Sequence, residues 1–501
     1  MAEAERVDEP WASIMEWLAG EPDDDPVADL AALRGHFQRV PEQQLSGAER
    51  EVCLEQFAAR IGDIGGRFRA RLLTAKLPIG RDLHQVAAAL IEALIEVAGG
   101  FLRLVDDVSA RRVRGVRQEG TALGARGLAL VSDAYLLGAM AGLAPPFGLW
   151  QRAHALWLAA GGLADGDGVA ALGLQYRRLF ALAVSQPEGL TARELSWLFD
   201  YLERHGASAQ LGIEPIAPED LAHWVDPAGD APPVAMARKS PDMTQGLLYF
   251  CTLPLVRTLA VQIEQLEKGL LAAEAASLRR ADDVVVAAEA GLPEGLEPAE
   301  VLALLGRLRD RWATPPVREQ ARRMHQYTVQ VCTGLRAIWA LGRGEADGRV
   351  AEWLVFNESP GGYAIMCVGG VEGELSAGMV LALRRDPTLP WSICVVRWIR
   401  NDDPERVELG LQVLAQGFTS VLVGFRGNGG RSTSPSLMLP ASPAIRRNPA
   451  ILAAAGAYVS RRFVLVHEGE HLYVAQGRVL GLDMQTASVE LFQYEIDPYP
   501  I

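Results

Sequence analysis

Trp353-Leu-Val-Phe-Asn357-Glu-Ser359-Pro-Gly-Gly362-Tyr-Ala-Ile-Met366 decides the fold of the C-terminal third. Trp353 to Phe356 and Tyr363 to Met366 are rich in aromatic and apolar residues, as strands are. Between them, Pro360-Gly-Gly362 is a turn signal, and Asn357 and Ser359 offer the hydrogen-bonding groups that turns use. Glycine there lets a ligand or another backbone come close. The stretch reads as two strands with a polar, glycine-bearing connection.

Similar short runs lie on both sides. Upstream, Gln326-Tyr-Thr-Val-Gln-Val-Cys332 alternates with period two, and Leu335 to Gly342 reads as a helix inserted after this first strand. Downstream come Met379-Val-Leu-Ala-Leu383, Ser392-Ile-Cys-Val-Val-Arg397 and Val407-Glu-Leu-Gly-Leu411, separated by Asp386-Pro387, Leu389-Pro390 and Asp403-Pro404. Short strands at this spacing predict a closed or sandwiched β domain. Further strand signals, at Thr419–Phe425, Ser436–Leu439, Arg462–Val466, His471–Ala475 and Val489–Tyr494, either extend that barrel or make a second one.

Before Arg323 the apolar period is helical. Ser46-Gly-Ala-Glu49 and Thr191-Ala-Arg-Glu194 are capping boxes, the first opening a helix that runs towards Lys76 and the second one that ends at His205. Pro78 and Gly80 break the chain before a helix over Asp82–Asp107. Helices follow near Ala122–Ala141, Phe147–Ala160 and Gly168–Val184, with no fixed repeat period. A long helix is expected over Pro241–Asp282 and another over Pro298–Trp312. The fold class is therefore α+β, an all-helical N-terminal region followed by an antiparallel β-barrel with additional C-terminal strands. The expected divisions are an acidic segment at 1–26, a helical domain at 27–205, a Pro-rich linker or insertion at 206–240, long helices at 241–323, the barrel at 324–420 and a β extension or second small domain at 421–501.

Composition narrows the function. The chain has 501 residues and a formal net charge of −14, which argues against a general nucleic-acid binder. Yet Val301–Arg462 holds 20 Arg, no Lys and 13 acidic residues, so it carries +7 and the rest −21. Arginine suits planar recognition of phosphates and bases, and a GC-rich genome also favours its codons. The five cysteines form no C-x-x-C pair, as expected for buried thiols in a reducing compartment. No signal peptide and no membrane-spanning stretch are read, so a cytoplasmic location is expected.

An arginine pair precedes the first strand, in Arg318-Glu-Gln-Ala-Arg322 with Arg323 beside it. This run, followed by Asn357-x-Ser359-x-x-Gly362 between two strands, resembles the PilZ family, whose pattern is R-x-x-x-R before the barrel and [DN]-x-S-x-x-G on it. Val395-Val-Arg397-Trp398 and Glu408-Leu-Gly410-Leu-Gln-Val413 look like the family's later strands. The resemblance covers about residues 315 to 420. It implies a cyclic di-GMP receptor in which Arg318, Arg322 and Arg323 clasp the dianionic ligand, Asn357, Ser359 and Gly362 grip a guanine, and Arg397 assists. It implies no catalytic residue, no metal, no cofactor and no enzymatic activity. Partners implied are an unknown protein, for example of motility, secretion or biofilm machinery, with room for a homodimer. The sequence departs from the family pattern in three ways: Asn stands where Asp is commoner, the spacing from Arg322 to Asn357 is 35, and a competing Arg307-x-x-x-Arg311 lies in a predicted helix. The rival expectation is a degenerate barrel that binds no nucleotide and acts as a scaffold through protein contacts.

Two other motifs are discounted. His467-Glu-Gly-Glu-His471 has the zinc-protease pattern, but β-favouring neighbours predict a hairpin, which spoils the helical spacing two ligands need. Gly427-Asn-Gly-Gly-Arg-Ser-Thr433 lacks the Gly-Lys-Ser/Thr of a phosphate loop.

Overall fold

A computed structural model describes residues 5–497 apart from 164–168, 217, 219–220, 243–244, 278–297, 315–321, 346–349, 370–373, 426–432, 443–445, 459 and 470. The chain divides into two compact units. The first holds residues 1–187, 192–257 and 311–317, and the second 188–191, 258–310 and 318–501.

The first unit is built on helices α1 (Glu5–Ala19), α2 (Pro26–Phe37), α3 (Gly47–Thr74), α4 (Arg81–Ser109), α5 (Gly120–Ala141), α6 (Leu149–Ala159), α7 (Val169–Val184) and α8 (Ala192–His205). Both arms of the capping box that opens α3 are made. Ser46 accepts from the Glu49 N–H, and Glu49 accepts from the Ser46 N–H. Some glycines let these helices pack closely. A Cβ at Gly124 would meet Ala160 at 2.4 Å, and one at Gly127 would meet Leu156 at 2.7 Å. One buried carboxylate is doubly paired. Asp29, 1 % exposed, accepts from Arg60 at 2.7 Å and Arg67 at 2.8 Å, and the Arg60 guanidinium lies 4.8 Å over Trp17.

Of the two expectations for 206–240, a linker or a strand-containing insertion, the strands found there fit the second, and they belong to a small sheet. Strands β1 (Gln210–Gly212), β2 (Ala222–Val225), β3 (Val234–Ala235) and β4 (Leu248–Cys251) lie in the order β1-β4-β2-β3. The long helix expected from Pro241 is therefore interrupted. Leu248-Tyr-Phe-Cys251 is buried throughout as a strand, and α9 starts at Leu253 and runs to Ser277. A continuous apolar run of four fits a buried strand as well as a helix, and here sheet pairing decides. Helix α10 (Pro298–Ala313) ends in the first unit. Its Trp312, 1 % exposed, donates its indole N–H to Ala181 O at 3.1 Å.

The second unit contains two closed six-stranded barrels. The first has the order β10-β7-β6-β5-β8-β9, from β5 (Arg323–Thr333), β6 (Val350–Ser359), β7 (Gly362–Val368), β8 (Val380–Arg384), β9 (Ser392–Asp403) and β10 (Arg406–Gln416). Helix α11 (Leu335–Gly342) follows β5, with the bounds expected from sequence. The second barrel has the order β11-β12-β13-β16-β15-β14, from β11 (Thr419–Phe425), β12 (Ser434–Leu439), β13 (Ala450–Ala454), β14 (Arg462–Glu468), β15 (Leu472–Gln485) and β16 (Val489–Ile496). Phe425, Phe463, Phe492 and Tyr494 pack inside or against its core. The strand without a sequence expectation is β13. Its Ala-Ile-Leu-Ala-Ala favours a helix by propensity, and pairing with β12 and β16 overrides that.

His223 on β2 gives a test of the small sheet. It is 5 % exposed, its Nδ1 has no partner among the described residues, and burial pushes its pKa down to about 4. The unfolded chain therefore binds a proton near pH 6.5 that the folded chain refuses, so this residue favours folding less as pH falls from 6.5 to 4. At about 1.36 kcal/mol per unit the loss reaches roughly 3 kcal/mol. A His223→Leu variant is expected to lose less stability than the parent between pH 7 and pH 4.5, read by thermal melting at both pH values.

Candidate functional site

The turn expected at Asn357–Gly362 is shorter than the motif. Asn357, Glu358 and Ser359 belong to β6, Gly362 opens β7, and only Pro360 and Gly361 connect them. Interior positions of the barrel are marked by buried Trp353, Val355, Ile365, Leu409 and Ile399. Val355 pairs with Ile365, yet Asn357 pairs with Ala364, so a bulge at Phe356 adds one residue to β6. Without it, Asn357 would share the interior parity of Val355. With it, Asn357 joins the outward row Asn357–Ala364–Gly410–Trp398 across β6, β7, β10 and β9.

That row is tightly made. Gly410 has no room for a side chain, because a Cβ there would come within 1.9 Å of the Trp398 indole nitrogen. Gly362 is equally constrained, since its Cβ would meet Leu411 O at 2.0 Å. Ser359 Oγ donates to Gly362 O at 3.4 Å. Asn357 differs from both. Its Oδ1 is buried and has no hydrogen-bond partner among the described residues. An unmet buried acceptor costs about 1–3 kcal/mol, which a donor from a ligand could recover.

Arg323 opens β5 in register with Glu358, and Met324, 79 % exposed, stands opposite Asn357. Arg322 is exposed one residue earlier, and Arg318 lies outside the described residues. The start of β5 therefore runs beside Asn357 and Glu358. Arg397 is exposed on β9, three strands from β6 by either route around the barrel. At ordinary sheet spacing that is roughly 14 Å, so it is not brought beside Asn357.

Four neighbours were not singled out from sequence. Tyr327 donates its hydroxyl to Glu358 Oε2, His325 Nε2 lies 3.5 Å from Glu358 Oε1, and the Arg385 guanidinium sits 4.5 Å over the Tyr327 ring. Burial and the bond to Glu358 push the Tyr327 hydroxyl up. Period-two alternation could have placed Tyr327 at the barrel mouth. Nothing in the sequence marks the register shift on β5, between Met324 and Tyr327, that aligns Glu358 with Arg323. The His467-to-His471 run is a β-hairpin, with His467 paired to Tyr473, as the sequence indicated. Gly427 to Ser432 lies outside the described residues.

The arrangement defines a class, a PilZ barrel preceded by a helical domain. Residues 12–218 match the family model of the N-terminal domain of the cyclic-di-GMP receptor FimW, and residues 342–418 match the model of its middle PilZ domain. Residues 342–418 thus match a PilZ domain, set after a helical region in the domain order of those receptors. It is similar to the cyclic-di-GMP receptor FimW of Pseudomonas aeruginosa, at 32% identity over 100 residues, which is 20% of this chain and 16% of that protein. The chain thus matches about a sixth of the length of that relative. No helix among the described residues is long and apolar enough to cross a membrane.

Replacing Gly362 by Ala is expected to destabilise the first barrel whatever is bound, by about 1–3 kcal/mol for the overpacking. A fall in the melting temperature of ligand-free protein checks this.

Proposed function

We propose that this protein is a cyclic di-GMP receptor of the FimW type, which binds its ligand on the β6–β7 face of the first barrel. The observation that carries the reading is the buried, unpartnered Oδ1 of Asn357 on the outer face, beside the arginine-bearing entry to β5. Its acceptor matches the N–H groups on the Watson–Crick edge of guanine. Arg318, Arg322 and Arg323 supply cations that pair with phosphate or stack on a purine. Ser359 positions the hairpin, and Gly362 keeps β7 close to β10. Arg397 plays a peripheral part, reaching only a ligand that extends around the barrel.

In this reading the protein is an effector in the cytoplasm, not an enzyme, and needs no cofactor. Arg318 lies in sequence between α10 and β5, where the first unit's last segment gives way to the second unit. A dianion bound by this segment would favour the state of the protein that a partner of the helical domain recognises.

A second reading has its own observation. Gly362 and Ser359 both have structural duties in the ligand-free fold. A barrel could keep them without binding nucleotide, and the helices would then serve as a scaffold.

Isothermal titration separates the two. Cyclic di-GMP is expected to bind at micromolar or tighter affinity, with no response to GTP or cyclic AMP. Arg322→Ala and Asn357→Ala should each weaken binding at least about tenfold, the loss of roughly 1.4 kcal/mol expected for one strong polar contact. No heat with folded protein would favour the scaffold, and unchanged affinity in Arg322→Ala would remove the clasp.

A further inference from the structure

A cavity of about 150 Å³ opens between α3 and α5, lined by Gly62, Gly65, Gly66 and Arg69 of α3, Leu94 of α4, and Asp133 with two leucines of α5. Glycine in a helix costs stability relative to alanine. At Gly62 and Gly66 nothing recovers that cost. A Cβ at either position would meet no atom within 4 Å, and one at Gly65 would only touch Leu137 at 3.9 Å. This contrasts with Gly124 and Gly127, where packing demands glycine. Positions that break a local preference without a packing gain tend to mark functional sites.

Asp133 lines the cavity, and Arg178, Arg69 and Arg126 favour its charged form from a distance. No hydrogen bond among the described residues ends on the Asp133 carboxylate. The arginines whose fields reach it are committed elsewhere. Arg178 donates to Phe199 O at 3.0 Å and Arg126 to Glu55 at 2.8 Å. Arg69, on the cavity wall, donates to Ser196 O at 2.7 Å and to Asp200 at 2.9 Å. Glu203 adds a like charge. Burial pushes the Asp133 carboxyl up to about 6, so it is still mostly ionised at neutral pH.

We propose that this cavity binds a primary alkylammonium group, with the cation on Asp133 and its methylenes against Leu94 and the leucines of α5. The open glycine face of α3 gives a chain of about four carbons its way in. A free aliphatic amine and a lysyl side chain share this chemistry.

The test uses the full-length protein and n-butylammonium chloride, followed by saturation-transfer NMR and thermal shift. Saturable binding is expected, at least tenfold weaker in Asp133→Asn. The Gly62→Ala/Gly66→Ala double variant should melt higher than the parent and lose the amine response. That result cannot come from misfolding. Nα-acetyl-lysine N-methylamide binding better than butylammonium would identify a lysyl side chain as the source, and the reverse a free amine. Absence of saturable binding by both, an equal response to 1-butanol, or unchanged affinity in Asp133→Asn overturns the proposal.

Discussion

The second unit rests on one shared apolar core between its two barrels. Cys332, Ile338, Val380, Ala382, Ile393, Val395 and Leu414 of the first barrel pack with Leu437, Leu439, Ala450, Leu452 and Leu491 of the second. Helix α11 is wedged into this contact. Trp339 donates its indole N–H to Val421 O at 2.8 Å, and Ser420 donates its hydroxyl to Trp339 O at 2.7 Å. Thr486 and Arg446 add bonds to Gly378 O and Leu414 O. Strand β8 is consequently buried on both faces, which is why Val380-Leu-Ala-Leu383 reads as a continuous apolar run and not as an alternation.

None of these core residues lies on β6 or β7. There the bulge at Phe356 turns Asn357 outward, and Gly410 accepts the Trp398 ring. The candidate site and the scaffold meet at two glycines. Gly362 and Gly410 set the distances between β7, β10 and the indole, and Asn357 alone in the hairpin motif is left with an unmet acceptor.

Most of the architecture was legible because its signals are local. The Ser46 capping box, the bounds of α11 and the runs at Thr419–Phe425 and Val489–Tyr494 each follow from patterns within a few residues. What was not legible depends on partners distant in sequence. Leu248–Cys251 is a strand because β1 and β2 flank it, and Ala450–Ala454 is one because β12 and β16 do. The motif residues could be named from sequence. Their outward row could not, since a one-residue bulge decides the face, and nor could the separation of Arg397 from Asn357, since barrel order decides it. The glycines of α3 carried no sequence signal either, because their vacancy shows only against α5.

Hydrogen exchange with and without cyclic di-GMP tests the central claim most directly. The account predicts slowed exchange in residues 318–327 and 357–366, with the second barrel unchanged. Protection confined to other segments, or none at saturating ligand, would contradict it.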